Sequence, residues 1–457
     1  MIVVLPLAIT WFAAVALGAL DGRRPWVGWL AVAALVAALV ALVGLAVTIL
    51  AGGPVEVAAG GWPPGIGIAL RADALGAVFA ATSGAVLLVA LVHEVLAGIV
   101  GRALPGVVLF LATGLTGLFL TGDAFNFYVF FEISMVSAFV LSGYGLGGRE
   151  LRAALVFTVV NLLGSVVFLS GIAALYHVTG TLDMRQVGER MLGVEPNSSI
   201  LIATQLFVAF SLKLGLFPFH FWVPPVYRDT HPAVAAMLSG AVANIGSYGL
   251  LRFGAGILPN ELRFGAVVLV AIGAASILYG ALLAVSGREP ADVLAYSSIG
   301  QAGYILVALA AGGPVGYAAA VLYALMNAGN KTLLFLSTGL RGPLVGAAFA
   351  IGAFSVAGIP PAVGFLGKAA LFRVGIEQGS AALVGLVFVG GALSFVYMLR
   401  IYQRTFWVSP PAGPASRVSA RLLVLGLAVV LLVLGAWPEP LLAVSREAAA
   451  ALDGGAP

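Results

Sequence analysis

The chain has 457 residues, of which 61% are hydrophobic and only 9% charged. A soluble domain carries about 25% charged residues, so the composition excludes a soluble globular fold and defines a membrane protein. The formal charge of +4 is small and spread among short loops, which argues against nucleic-acid binding, and the lack of cysteine excludes disulfides, thiolate metal or cluster ligation and thiol catalysis.

Hydropathy predicts an all-α polytopic protein of about 14 spanning segments, each near the roughly 20 residues a membrane helix needs. They fall at 2–20, 26–52, 74–100, 104–121, 123–146, 152–178, 200–222, 233–254, 264–286, 291–311, 315–339, 344–376, 381–406 and 419–436. The first segment lacks a basic n-region and reads as a helix that stays, not a cleaved signal. Between the second and third, "GGPVEVAAGGWPPGIGIALRADAL" is too polar and too rich in Gly and Pro to span, and reads as a surface hairpin. "TLDMRQVGERM", residues 181–191, reads as a short interfacial helix.

Two segments carry helix breakers. Pro218 follows Lys213 by five residues in the seventh; Pro360 and Pro361 precede Lys368 in the twelfth. Proline inside a spanning helix frees backbone carbonyls that protein or water must meet. Two interrupted segments five apart point to inverted repeats with an ion path at their interface. The expected division is residues 1–103 with the hairpin, repeats at 104–254 and 255–407, and a last helix and tail at 408–457. Arginine sets the orientation: 12 of the 19 fall on one set of alternating loops, which is then cytoplasmic, and both termini face outward.

The chain holds only three lysines, Lys213, Lys331 and Lys368, and all lie inside apolar segments. Glu132, in "FYVFFEISMVSAF", stands near the middle of the fifth segment. An ionisable group at a helix centre costs roughly 2.5–3.5 kcal/mol on insertion scales, and such groups usually face a bundle interior and mark ion paths or proton relays. One reading is a fixed ion pair of Glu132 with Lys213. The other is a relay, favoured because one acid cannot pair three lysines. At about 4 Å and an effective dielectric near 20 such a pair is worth roughly 4 kcal/mol, enough to gate a proton if it opens.

His220, after the Pro218 break, is the histidine best placed for a relay; His93 and Glu94 read as near-interface or helix-contact residues pointing in different directions. Asp123 suits a helix N-terminus. Asn161, Asn244, Asn327 and Asn330 suit cross-helix hydrogen bonds or water, as do Ser297, Ser298 and Gln301. No metal site, redox cofactor or nucleotide motif is expected; the Gly-rich runs read as membrane packing.

Six stretches occur in order over roughly residues 105–407: "GDAFNFYVFFEISMVSAF", "KLGLFPFHFWVPPVY", "LAYSSIGQAGYI", "NKTLLFLSTG", "AGIPPAVGFLGK" and "LRIYQRTFW". Together they resemble the antiporter-like proton-channel subunits of respiratory complex I and its relatives, including membrane-bound hydrogenases. "TGDAFNFYVFFE" and "VTGTLDM" are most similar to the D-type subunits of Mrp-type multisubunit Na⁺/H⁺ antiporters. The resemblance implies 14 helices, two inverted five-helix repeats and broken seventh and twelfth helices. It implies relay roles for Glu132, Lys213, Lys331 and Lys368. Four positions depart from the family pattern. Asn244 stands where relatives carry a central lysine, and Asn327 where they carry a histidine. "EPADVLAYSS" lacks their basic residues, and "LRGPLV" is a shortened linker.

The sequence therefore reads as a proton-translocating subunit of a larger complex in the cell inner (plasma) membrane. Its partners would be other membrane subunits, H⁺, Na⁺ and lipid. A non-conducting scaffold with the same fold is the alternative, because asparagine at 244 cannot carry a proton. A stand-alone transporter or lipid enzyme is a third reading, disfavoured by the short loops.

Overall fold

The computed structural model describes residues 2–62, 67–408 and 417–452. The chain enters through α1 (Val4–Gly18) and α2 (Pro25–Gly52). Strands β1 (Val55–Ala58) and β2 (Ala69–Ala72) then pair antiparallel, with Val55 opposite Ala72. This is the hairpin expected from composition; residues 63–66 at its tip lie outside the described residues. Then come α3 (Ala74–Ala97), α4 (Leu104–Leu120), α5 (Ala124–Ser142), α6 (Gly148–Thr179), the short α7 (Met184–Met191) and α8 (Pro196–Leu214). α7 is the short helix expected near 181–191; Asp183 caps it by accepting from the Gln186 N–H.

α8 breaks at its end, and the chain resumes through a 3₁₀ turn (Phe219–Trp222) into α9 (Val223–Asp229). The span Pro232–Ile257 follows. It consists of α10 (Pro232–Met237), a π-helical turn, α11 (Asn244–Gly249) and a second π-helical stretch. After it come α12 (Pro259–Ser286), α13 (Pro290–Ala311), α14 (Gly313–Thr338), α15 (Pro343–Ala357), α16 (Gly364–Glu377), α17 (Ala381–Tyr402), α18 (Val418–Ala436) and α19 (Glu439–Ala450). Proline starts many of these helices, where its missing N–H costs nothing.

Among the described residues, eleven helices are long and apolar enough to cross a membrane, and α1, α4 and α15 are shorter apolar helices. They are not equally enclosed. The Pro232–Ile257 span is 94% buried within the protein, and α13 and α14 are each 89% buried. α2 and α12 are only 33% buried and α18 22%. The first three form the centre of the bundle and carry Asn244, Ser297, Gln301, Asn330 and Lys331 among their buried polar groups, whereas the others present apolar flanks outward. α12 and α13 pack backbone to backbone where Gly273 meets Gly303 and Gly280 meets Gly300, the small-residue contact that lets membrane helices approach closely.

Both expected breaks are present, yet glycine, not proline, ends the helix in each. α8 stops at Gly215 (φ 71°), with Leu216 N–H donating to Ser211 O. α15 stops at Gly358 (φ 82°), with Ile359 N–H donating to Phe354 O. These are the same C-terminal closure, in which a left-handed glycine lets the chain fold back on the last carbonyls. Pro218, Pro360 and Pro361 lie in the segments that follow and keep the helix from resuming at once. One helix was missed: residues 439–450, read as tail, form α19, which packs on α3 and α14.

Candidate functional site

Lys213 sits in the last turn of α8, 5% exposed, at the edge of the first break. Its Nζ lies 4.2 Å from the centroid of the Phe131 ring and 3.5 Å from Asn161 O. A cation over an aromatic face is stabilised by the ring quadrupole, and a lysine in the last turn faces the negative end of the helix dipole. Glu132, next to Phe131, acts on Lys213 through its charge but is not in ion-pair contact with it. The pair is open. Glu132 is half-buried and lines an apolar groove of about 460 Å³ with Trp11, Val107, Phe110 and Val140; its Oε1 has no hydrogen-bond partner. The acid therefore stands on the flank of the bundle, and the lysine inside.

Asn161 and His220 frame this half. Asn161 Nδ2 donates to Phe157 O in its own helix, and its Oδ1 is buried without a partner. His220 stacks on Phe217 and meets Tyr279 at a tilt, with its Nδ1 buried and unpartnered. Asp123 is the N-cap of α5, accepting from the Asn126 N–H; burial pushes its carboxyl above the ordinary range, partly offset by that backbone bond.

Lys331, in α14, is completely buried. Its Nζ donates to Leu294 O at 3.2 Å and to Ser297 Oγ at 2.8 Å. From there the polar contacts continue. Ser297 Oγ and Tyr397 OH are 3.0 Å apart, Gln301 bears on the same hydroxyl, and Tyr323 OH donates to Gln301 Oε1 at 2.6 Å. Tyr323 stacks on Tyr304 at 5.1 Å, and the buried Tyr304 OH has no partner. Lys368, in α16, lies with its Nζ 5.8 Å from the Tyr304 ring centroid and donates to Val356 O and Ala357 O at 2.9 and 2.7 Å. It thus meets the orphan carbonyls at the end of α15. Gly390 of α17 makes the room: a Cβ there would strike Tyr304 OH, whereas one at Gly391 would only touch Lys368 Nζ.

The structure thus joins Lys331 by polar contacts to Ser297, Tyr397, Gln301 and Tyr323; Tyr304 and Lys368 meet that chain only through ring contacts. Ser297 and Gln301 are in it. Ser298 is not: its Oγ bonds Leu294 O in its own helix. Asn327 is half-buried, and Asn330 Oδ1 is buried without a partner. Tyr304, Tyr323 and Tyr397 were missed, because a tyrosine in an apolar helix reads as packing. A buried hydroxyl usually finds a partner, and three tyrosines near polar helix residues were the available signal.

Asn244 lies between the halves. α11 packs against α8 and also touches α3, α13 and α14, and π-helical turns flank it, a form that recurs at functional sites. Asn244 Nδ2 donates to Ser83 Oγ and to Gly240 O, both at 3.1 Å. This bond is the middle rung of a seam between α3 and the Pro232–Ile257 span. At one end Arg252 Nη2 donates to Asp73 Oδ1 at 2.7 Å, and Tyr248 OH, which accepts from Arg252 Nε, donates to Phe119 O. Burial pushes the Asp73 carboxyl up, but Arg252 beside it outweighs that and holds it below the ordinary range. At the other end stand Glu94 and His231. His93 and Glu94 do not point apart, as their adjacency suggested: His93 Nδ1 is 3.4 Å from Glu94 Oε1.

Known proteins agree with this architecture. Residues 121–342 match the family model described as "NADH:quinone oxidoreductase/Mrp antiporter, TM". The chain is 31% identical over 376 residues to the Staphylococcus saprophyticus protein named "Putative antiporter subunit mnhD2", covering 76% of this chain and 74% of that one. A chain of the Mrp complex from Dietzia sp. DQ12-45-1b superposes with a TM-score of 0.92 at 27% identity, covering 99% of this chain and 97% of that chain. A chain of the membrane-bound sulfane sulfur reductase, an archaeal respiratory membrane complex, superposes at 0.90 with 25% identity and the same coverages. The fold and these matches define a polytopic, all-helical subunit of the antiporter-like class. The chain belongs to the NADH:quinone oxidoreductase/Mrp antiporter family of membrane subunits.

Proposed function

We propose that this chain is a proton-translocating subunit of an Mrp-type cation/proton antiporter, working in the cell membrane beside other membrane subunits. Its Arg-rich loops would face the cytoplasm and both termini the outside. Residues 104–254 and 255–407 would be inverted repeats, each with one broken helix, within a fourteen-helix body. The observation that carries the reading is the pair of matched breaks. Each ends in a left-handed glycine, and each has a buried lysine beside it: Lys213 two residues before Gly215, bonded to Asn161 O of α6, and Lys368 on the carbonyls of Val356 and Ala357 before Gly358.

In this reading Glu132 and Lys213 load the first half. Lys213, buried and out of ion-pair contact with Glu132, would hand a proton on toward the centre. The second half passes the proton from Lys331 through Ser297, Tyr397, Gln301 and Tyr323 toward Tyr304 and Lys368. Water at Asn244 would join the halves, since an amide does not exchange a proton at these pH values. The experiment is proton flux into vesicles holding the intact complex. Glu132→Gln and Lys213→Ala abolish flux while assembly survives; flux retained in both would end the proposal.

One observation favours a second reading. Asn244 is committed to Ser83 and Gly240, as a structural rung would be. In a non-conducting scaffold the same variants would assemble and function normally.

A further inference from the structure

Glu94 lies outside the lysine series. It is 2% exposed and His93 3%, at the end of α3. Tyr144 OH donates to Glu94 Oε2 at 3.0 Å while accepting from the Val100 N–H at 2.9 Å. Burial first, and then the Glu94 charge, push the Tyr144 phenol up to about 12, so it stays a donor. The other carboxylate oxygen, Oε1, is 3.4 Å from His93 Nδ1 and 3.4 Å from His231 Nδ1. Oε1, both nitrogens of His93 and Nδ1 of His231 are buried without a hydrogen bond. So many unpaired groups in one place are costly unless function holds them there. The cluster is also graded in exposure. The His231 side chain is 36% exposed, against 2% for Glu94 and 4% for His93, so His231 reaches the surface of the chain and the other two do not.

The surrounding charges are few. α18 brings Arg421, and Arg417 just before it donates to Leu96 O at the end of α3. α14 brings Lys331, already committed to Leu294 and Ser297. α19 brings Glu439, Arg446 and Glu447, of which Arg446 pairs with Glu439. The Pro232–Ile257 span brings Arg252, paired with Asp73 at the far end of α3. α2 and α4 carry no titratable side chain. Ser83, eleven residues before Glu94, lies about three turns away on the same face of α3, and it bonds Asn244.

We propose that His231, Glu94 and His93 form a proton-loading site at this end of the molecule, which takes a proton from solvent at His231 and holds it inside on Glu94. The steps are simple transfers. His231 gains a proton and becomes imidazolium; its Nδ1 proton passes to Glu94 Oε1, leaving neutral imidazole and carboxylic acid; Glu94 then yields it to His93 Nδ1. Tyr144 keeps Oε2 hydrogen-bonded throughout, so Oε1 alone exchanges. The site rests on the reading of the chain as a proton translocator.

The test uses the intact complex in vesicles, with flux followed from pH 5.5 to 8.5 and assembly followed by co-purification of the other subunits. His231→Gln and Glu94→Gln are each expected to lower flux about a hundredfold at pH 8, the lower end of the range for a lost proton-transfer group. Added imidazole is expected to restore His231→Gln, whose site lies at the surface of the chain, and not Glu94→Gln. Should Glu94→Gln fail to assemble, His231→Gln decides alone. Wild-type flux in His231→Gln, or a loss that imidazole does not restore, overturns the loading site. Retained flux in Lys331→Ala instead counts against the relay, so the two failures are separable.

Discussion

The two halves of the molecule solve the same problem by different means. Each breaks a helix with a left-handed glycine and buries a lysine at the break. The first half compensates its lysine with a ring face, one carbonyl and a distant carboxylate on the flank. Among the described residues the second half pairs no carboxylate with its lysines; carbonyls, a hydroxyl and the Tyr304 ring face compensate them. In the proposed relay, a charge partner would make the first half sensitive to whatever approaches Glu132, while the second half would conduct through neutral groups. The first half is also tied to α3 by an ion pair and an amide bond.

That contrast can be broken or sharpened by four variants. The largest effect is on stability. Asp73→Asn leaves Arg252 buried without its counter-charge, and breaking a buried pair costs about 3–5 kcal/mol; thermal unfolding in detergent measures it. Because the Asp73 carboxyl is held below its ordinary range, the pair's contribution is fully present above about pH 4. It is lost as pH falls through the lower folded value. Next, Lys368→Met removes the donor to Val356 O and Ala357 O, and proton flux in the reconstituted complex is expected to fall about a hundredfold. Tyr397→Phe removes one hydroxyl from the chain between Ser297 and Gln301, and about a tenfold loss is expected. The smallest is Phe131→Leu, which takes a ring face worth about 0.5–2 kcal/mol from Lys213. A change in the pH profile of flux with little loss of maximal rate is expected. If Tyr397→Phe left flux unchanged, the second half would not be a hydroxyl conduit.

Much of this was legible in the sequence. The spanning helices follow from apolar runs, and the breaks from Pro218, Pro360 and Pro361 near buried lysines. What chain order hides is which side chains face each other across helices. Lys331, Ser297 and Tyr397 come from three helices, and nothing in their spacing announces that they touch. Glu94 and His231 are far apart in sequence and meet only because α3 and the Pro232–Ile257 span pack together. Gly215 and Gly358 do not stand out as helix ends in a chain with 60 glycines, most of which show no sign of their backbone conformation in the sequence. α19 was read as tail because it is short and only weakly apolar.

The central claim is that the halves act in series. The direct measurement is proton flux in vesicles with assembled complexes carrying Lys213→Ala or Lys331→Ala, side by side. A series path predicts that either variant alone falls to background. Two variants that each kept about half of the wild-type flux would mean that the halves conduct independently, and would contradict the account.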